Sequence, residues 1–171
     1  PETPVEETLQ ALVDIVRSGK ALYIGLSNWP VEPARFAFKY LRERDVPCLI
    51  YQGKLNMLHQ NPIEEGLLAL CHDEGVGFIA FSPLAQGLLT DRYLNGIPAG
   101  SRMTQNKFLK EEMLTDELLA RLHKWNAEAQ QQGMTLAEMS LRWILQQQGV
   151  TSVLIGASSV EQLECNLKCA R

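Results

Sequence analysis

Four groups of side chains stand where short apolar runs give way to polar turns. They are Ser27-Asn28, Gln52, Phe81-Ser82 and Gly156-Ala157-Ser158. The set offers hydroxyls, two amides, one aromatic ring and a glycine turn, and no strong acid, base or nucleophile. Groups of this kind grip a ligand by hydrogen bonds and stacking, and they suit one that carries an amide, an aromatic ring and phosphates. Singly, each is an ordinary turn residue after a strand. Only their recurrence at successive strand ends makes them a site.

The elements that must position them alternate. Thr3-Pro4-Val5-Glu6 has the spacing of a capping box with Pro at the first helical position, and Val5, Leu9, Leu12, Val13 and Val16 continue at helical spacing to near Gly19. The apolar run 21–26 then predicts a buried strand feeding the polar turn at Ser27. A helix over 32–44, a strand over 48–52 and a helix from the start signal Asn61-Pro62-Ile63-Glu64 to near Gly75 follow, and then a strand over 78–81. After it, residues 90–114 form a long connection of the sort that is more often functional than filler. Helices over 115–132 and from the capping box Thr135-Leu136-Ala137-Glu138 to before Gly149 lead to a strand over 152–155 and a last helix. Helices alternating with apolar strands mean a parallel sheet covered by helices. The fold class is therefore α/β, either a small doubly wound domain or part of a β/α barrel. In both, a ligand sits beyond the carboxyl ends of the strands.

Composition narrows the function. The chain has 171 residues, 46% apolar and 21% charged, with a formal charge of −4, which fits one globular domain over 1–171. Its sixteen Lys and Arg are scattered among acids, so no basic stripe faces a nucleic acid. No apolar stretch approaches the roughly 18 residues of a membrane span, and the start Pro1-Glu2-Thr3-Pro4 reads as a cut rather than a signal segment. Cys48, Cys71, Cys165 and Cys169 include no C-x-x-C pair and no nearby His to complete a zinc set. Neither a metal nor a disulfide framework is expected, and a reducing cytoplasm suits four free thiols.

The residues also match a family. Ile24-Gly25-Leu26-Ser27-Asn28, then Gln52, then Ala80 through Leu89, then Tyr93-Leu94-Asn95-Gly96-Ile97-Pro98 with Ser101-Arg102, and finally Leu154-Ile155-Gly156-Ala157-Ser158 with Glu161-Gln162-Leu163 and Asn166 strongly resemble the aldo-keto reductases. The likeness is to the branch that contains bacterial glyceraldehyde-phosphate and methylglyoxal reductases and the potassium-channel β subunits, and it covers essentially the whole chain.

The resemblance implies a partial (β/α)8 TIM barrel, strands five to eight with their helices, truncated at both ends. An eight-stranded barrel needs about 250 residues, so the short chain agrees. It also implies roles around NADP(H). Ser27, Asn28 and Gln52 would hold the nicotinamide carboxamide, and Phe81 would stack on the ring. Ser82, Pro83, Leu84, Ala85 and Gln86 would surround the pyrophosphate, with Arg92 and Arg102 reaching phosphates from the long loop. Gly156, Ser158, Gln162 and Asn166 would bind the adenosine end, where a helix N-terminus favours a 2′-phosphate. Cys165 stands where a Glu is common in the branch, and Leu55-Asn56 where an aromatic-Asn pair is often seen.

The family's proton-donating Tyr, its Lys and Asp partners and its substrate-orienting His belong to the absent half, so no catalytic residue is assigned here. The implied activity of the intact protein is NADPH-dependent reduction of a small carbonyl substrate to an alcohol, the present chain being inactive alone and prone to homo-oligomerise through open strand edges. The alternative is an NADPH-binding, redox-sensing regulatory subunit like the channel β subunits.

Overall fold

The computed structural model describes residues 3–101, 103–104 and 109–170. Its contacts group the chain into two compact units. The first comprises Pro1–Leu55, Gln60–Phe81 and Gln147–Val153. It holds α1 (Val5–Arg17), β1 (Ile24–Ser27), α2 (Val31–Arg42), β2 (Cys48–Lys54), α3 (Asn61–Glu64), α4 (Leu67–Asp73), β3 (Gly77–Phe81) and, from the later segment, β4 (Val150–Val153).

The four strands form one parallel sheet in the order β1-β2-β3-β4. Parallel neighbours need a helix-sized crossover, and α2 and the α3–α4 pair supply the first two. Alternation along the strands sorts their side chains onto two faces. Ile24, Leu26, Cys48, Tyr51, Phe78 and Ala80 are buried, together with Leu9 and Val13 of α1, Phe38 and Leu41 of α2, and Leu67 and Cys71 of α4. Tyr51 and Phe78 lie opposite each other in register with their rings stacked, centroids 5.8 Å apart and planes at 13°. The other face, with Gly25, Ser27, Gln52, Lys54, Ile79 and Phe81, is half-buried or exposed.

Several boundaries differ from the sequence expectation. The box at Thr3 does not form, because the helix starts at Val5 and Pro4, which has no side-chain acceptor, takes the capping position. β1 begins at Ile24, leaving Leu22 and Tyr23 exposed. The single helix expected up to Gly75 is two, broken at Gly66, which adopts a φ of 80°. β2 runs two residues further than expected, to Lys54, and β4 begins and ends two residues earlier, at Val150 and Val153.

Burial in the first unit has a pH consequence. Desolvation pushes the Cys48 thiol up to about 11, the Cys71 thiol to about 12 and the Tyr51 hydroxyl to about 12, from ordinary values of 9.0, 9.0 and 10.0. Between roughly pH 9 and 12 the folded chain binds more protons than the unfolded one, so stability falls as pH rises through that window. Urea midpoints at pH 8, 9.5 and 10.5 should decline steadily. A flat series would show that these groups ionise as freely in the folded chain as in the unfolded one.

The second unit comprises Asn56–His59, Ser82–Gln146 and Leu154–Arg171. Its helices are α5 (Asp116–Gln131), α6 (Leu136–Leu145) and α7 (Val160–Leu167). Thr115 caps α5 by accepting from the Leu118 N–H, and Thr135 with Glu138 forms the expected capping box on α6. Their apolar faces close on a core of Leu88, Leu89, Tyr93, Met103, Leu122 and Leu136, against which Trp125 and Trp143 pack. Among the described residues no helix is long and apolar enough to cross a membrane, and no three His, Cys, Asp or Glu gather as a metal site.

Candidate functional site

Within the first unit, the register brings Ser27, Gln52 and Phe81 to the carboxyl ends of neighbouring strands on one face. Ser27 lies opposite Gln52, and Phe81 opposite Lys54, two residues beyond Gln52. Asn28 follows β1 with a φ of 58°; its N–H donates to the Gln52 carbonyl at 3.3 Å and its Nδ2 to the Ser27 Oγ at 3.1 Å. Ser27 and Asn28 are exposed, and Gln52 and Phe81 half-buried. An accessible hydroxyl, two amides and a partly open ring therefore converge where a planar amide-bearing ring could be hydrogen-bonded and stacked.

The second unit carries a cleft of about 1180 Å³, larger than the roughly 300–1,000 Å³ of small-ligand sites. Ser82, Pro83, Leu84, Gln86 and Arg92 line one part of it, and Gly156, Ser158, Gln162, Cys165 and Asn166 another. Segments some seventy positions apart in the chain thus share one concavity. Ala85 is the exception: it is buried in the core and does not line the cleft, contributing instead to the turn. Arg102 lies outside the described residues.

Backbone strain gathers at these places. Of the five non-glycine residues with positive φ among the described residues, four are Asn28, Ser82, Ala85 and Gln86; the fifth, Asp45, follows α2. Left-handed backbone is costly for residues with a Cβ and tends to collect at functional sites. The turn after β3 is closed by hydrogen bonds from the Ala85 N–H to the Ser82 carbonyl at 3.0 Å and from the Gly87 N–H to the Leu84 carbonyl at 2.8 Å. A further clamp comes from Asn56, fully buried, whose Nδ2 donates to the Ser82 carbonyl at 2.9 Å while its Oδ1 accepts from the Leu58 N–H at 3.0 Å. Sequence reading passed over this role of Asn56. The available signal was a strongly polar amide set between Leu55 and Met57 directly after a strand.

At α7, Ser159 caps the helix by accepting from the Gln162 N–H at 3.2 Å, and the Gln162 Oε1 accepts from the Ser158 N–H at 2.7 Å. That pairing leaves the Gln162 Nε2 available to a ligand. Asn166, one turn on, is only 4% exposed, and its Nδ2 has no hydrogen-bond partner among the described residues. A buried amide donor left unpaired is costly, and this one borders the cleft. The Glu161 carboxyl is held below its usual range by its own N–H and the Ser159 hydroxyl. With Asp91 and Arg92 it supplies the charge among the described lining residues, so backbone N–H groups and amides must carry much of any grip on an anion.

The chain is similar to known proteins over its whole length. The chain is 49% identical over 170 residues to L-glyceraldehyde 3-phosphate reductase of Escherichia coli strain K12, covering 97% of this chain and 49% of that protein. The same enzyme from Escherichia coli O157:H7 is 48% identical, again over 97% of this chain and 49% of the relative. The chain thus spans about half the length of the curated relatives it matches. Among solved structures, a thermostable aldo-keto reductase crystallised with the inhibitor epalrestat superposes with a TM-score of 0.67 at 29% identity, over 99% of this chain and 50% of the other. The α/β chain with four parallel strands is accordingly a partial barrel. The profile of the aldo/keto reductase family matches residues 1–171, and the chain belongs to that family.

Proposed function

We propose that the intact protein reduces aldehydes or ketones to alcohols with NADP(H), and that this chain is its cofactor-holding portion. Ser27, Asn28 and Gln52 would bind the carboxamide and Phe81 the nicotinamide ring. Ser82, Leu84, Gln86 and Arg92 would bind the phosphates, and Gly156, Ser158, Gln162 and Asn166 the adenosine. The cofactor, when bound, supplies the hydride. The chain's own residues hold and orient it: the amides fix the plane of the ring, and the Phe81 ring covers one side of it so that a substrate meets the other. The observation that carries this reading is the unpaired, buried Asn166 amide bordering a cleft that also gathers the strained turn after β3. A phosphorylated aldehyde is the substrate to test first, since both curated relatives are named for one.

Fluorescence titration of the 171-residue chain tests the proposal. NADPH should quench saturably and more tightly than NADH. Asn166→Ala should weaken NADPH about tenfold, the worth of one buried hydrogen bond to the ligand. Absence of quenching at millimolar NADPH would sink the reading. The same chain mixed with NADPH and glyceraldehyde 3-phosphate should show negligible turnover, since placed proton donors account for about 10²–10⁴-fold and none is assigned here.

A further inference from the structure

The four strands contain one charged residue, Lys54, at the last position of β2. A lysine on a strand commonly blunts a sheet edge, but β2 is interior, paired with β1 on one side and β3 on the other. Edge protection therefore does not account for this lysine. Lys54 stands two residues beyond Gln52, hence on the same face, and lies opposite Phe81 in the register, with Leu55 beyond it donating to the Phe81 carbonyl at 3.4 Å. Neighbouring strands run about 4.8 Å apart, so Lys54 and Phe81 are cross-strand neighbours on the face that also carries Gln52. The side chain is exposed, and it makes no ion pair or hydrogen bond among the described residues. No carboxylate shares the open face of the strands, where its neighbours are Gly25, Ser27, Gln52, Ile79 and Phe81.

We propose that Lys54 recognises an anionic group on the substrate, so that the carbonyl compound taken at this site carries a phosphate or a carboxylate a few bonds from its reacting carbon. The proposal rests on the reading of Ser27, Gln52 and Phe81 as the nicotinamide end. An ammonium in register with the residue against that ring meets the reacting molecule, whereas the cofactor's phosphates are assigned to Ser82, Gln86 and Arg92. An ammonium on a flexible stem pairs with such an anion as a point charge. Being exposed, the pair is screened by salt.

The test is calorimetric titration of the 171-residue chain, saturated with NADP+, with glycerol 3-phosphate, glycerate and glycerol. The unaltered chain should bind at least one of the two anions several-fold more tightly than glycerol, and the tighter one names the anion. K54Q should weaken that anion about five- to tenfold while leaving glycerol and NADP+ unchanged, K54R should restore it, and raised salt should erase the difference. Anion affinity that K54Q leaves intact overturns the assignment, as does a loss of NADP+ affinity in K54Q, which would give the lysine to the cofactor. If the unaltered chain fails to bind NADP+ at all, the cofactor reading falls. If it binds NADP+ but shows no preference for either anion, only the role of Lys54 falls.

Discussion

Phe78→Ala is expected to cost about 3–5 kcal/mol, as for other fully buried aromatic truncations. That is a large share of the roughly 5–15 kcal/mol that holds a domain together. Phe78 has no exposed surface, stacks on Tyr51, and extends over Gly53 so closely that a Cβ there would come 2.7 Å from its Cζ. Glycine at 53 is thus the space the ring occupies. Gly53→Ala alone should cost about 1–3 kcal/mol through overpacking, yet add little in the Phe78→Ala background, where the opposing atom is gone. Urea unfolding of the four chains of this cycle measures the coupling. Strict additivity, or a loss below about 1 kcal/mol for Phe78→Ala, would mean that the ring is not the keystone of the first unit.

Asn56→Ala should be nearly as damaging, by roughly 2–4 kcal/mol, because it empties a fully buried position and strands two partly buried backbone groups at once, the Ser82 carbonyl and the Leu58 N–H. Asn56→Asp separates the two. It keeps an acceptor for Leu58 but sets a carboxylate against the Ser82 carbonyl, so at neutral pH it should be at least as unstable as the alanine variant. Burial and the facing carbonyl raise its folded pKa above the unfolded value, so the deficit should shrink as pH falls and the protonated acid can donate again. Thermal melts of both variants at pH 7 and pH 4.5 check this; equal behaviour of the two at both values would refute the clamp. Since Asn56 holds Ser82 in its left-handed conformation, NADPH affinity should fall with either substitution even where the chain remains folded.

Much of this fold can be read from local chemistry. Thr115 and Thr135 announce their helices by the acceptors they place, and apolar runs separated by helix-length segments dictate parallel strands. Where reading fails, the cause lies outside the local window. Leu22 and Tyr23 are apolar yet exposed, so hydrophobicity alone starts β1 too early. Leu154 and Ile155 look like strand but border the cleft, while Val150 pairs with Phe78 of β3 and Thr151 falls at a break in the register, its hydroxyl accepting from the Phe78 N–H at 3.2 Å. The candidate site residues are legible as types at strand ends, and family likeness ranks them. The Asn56–Ser82 hydrogen bond spans 26 positions, so the local sequence shows a polar amide among apolar neighbours but not the partner it reaches. Nor do Ser82, Ala85 and Gln86 advertise positive φ, since none is a glycine.

Those left-handed residues carry a cost that glycine would relieve. Asn28, Ser82 and Gln86 nevertheless bring side chains to the places where a ligand would be touched. Durability and usefulness therefore pull in opposite directions at a handful of backbone angles, and a lineage bred for heat resistance would be tempted to surrender its grip there first.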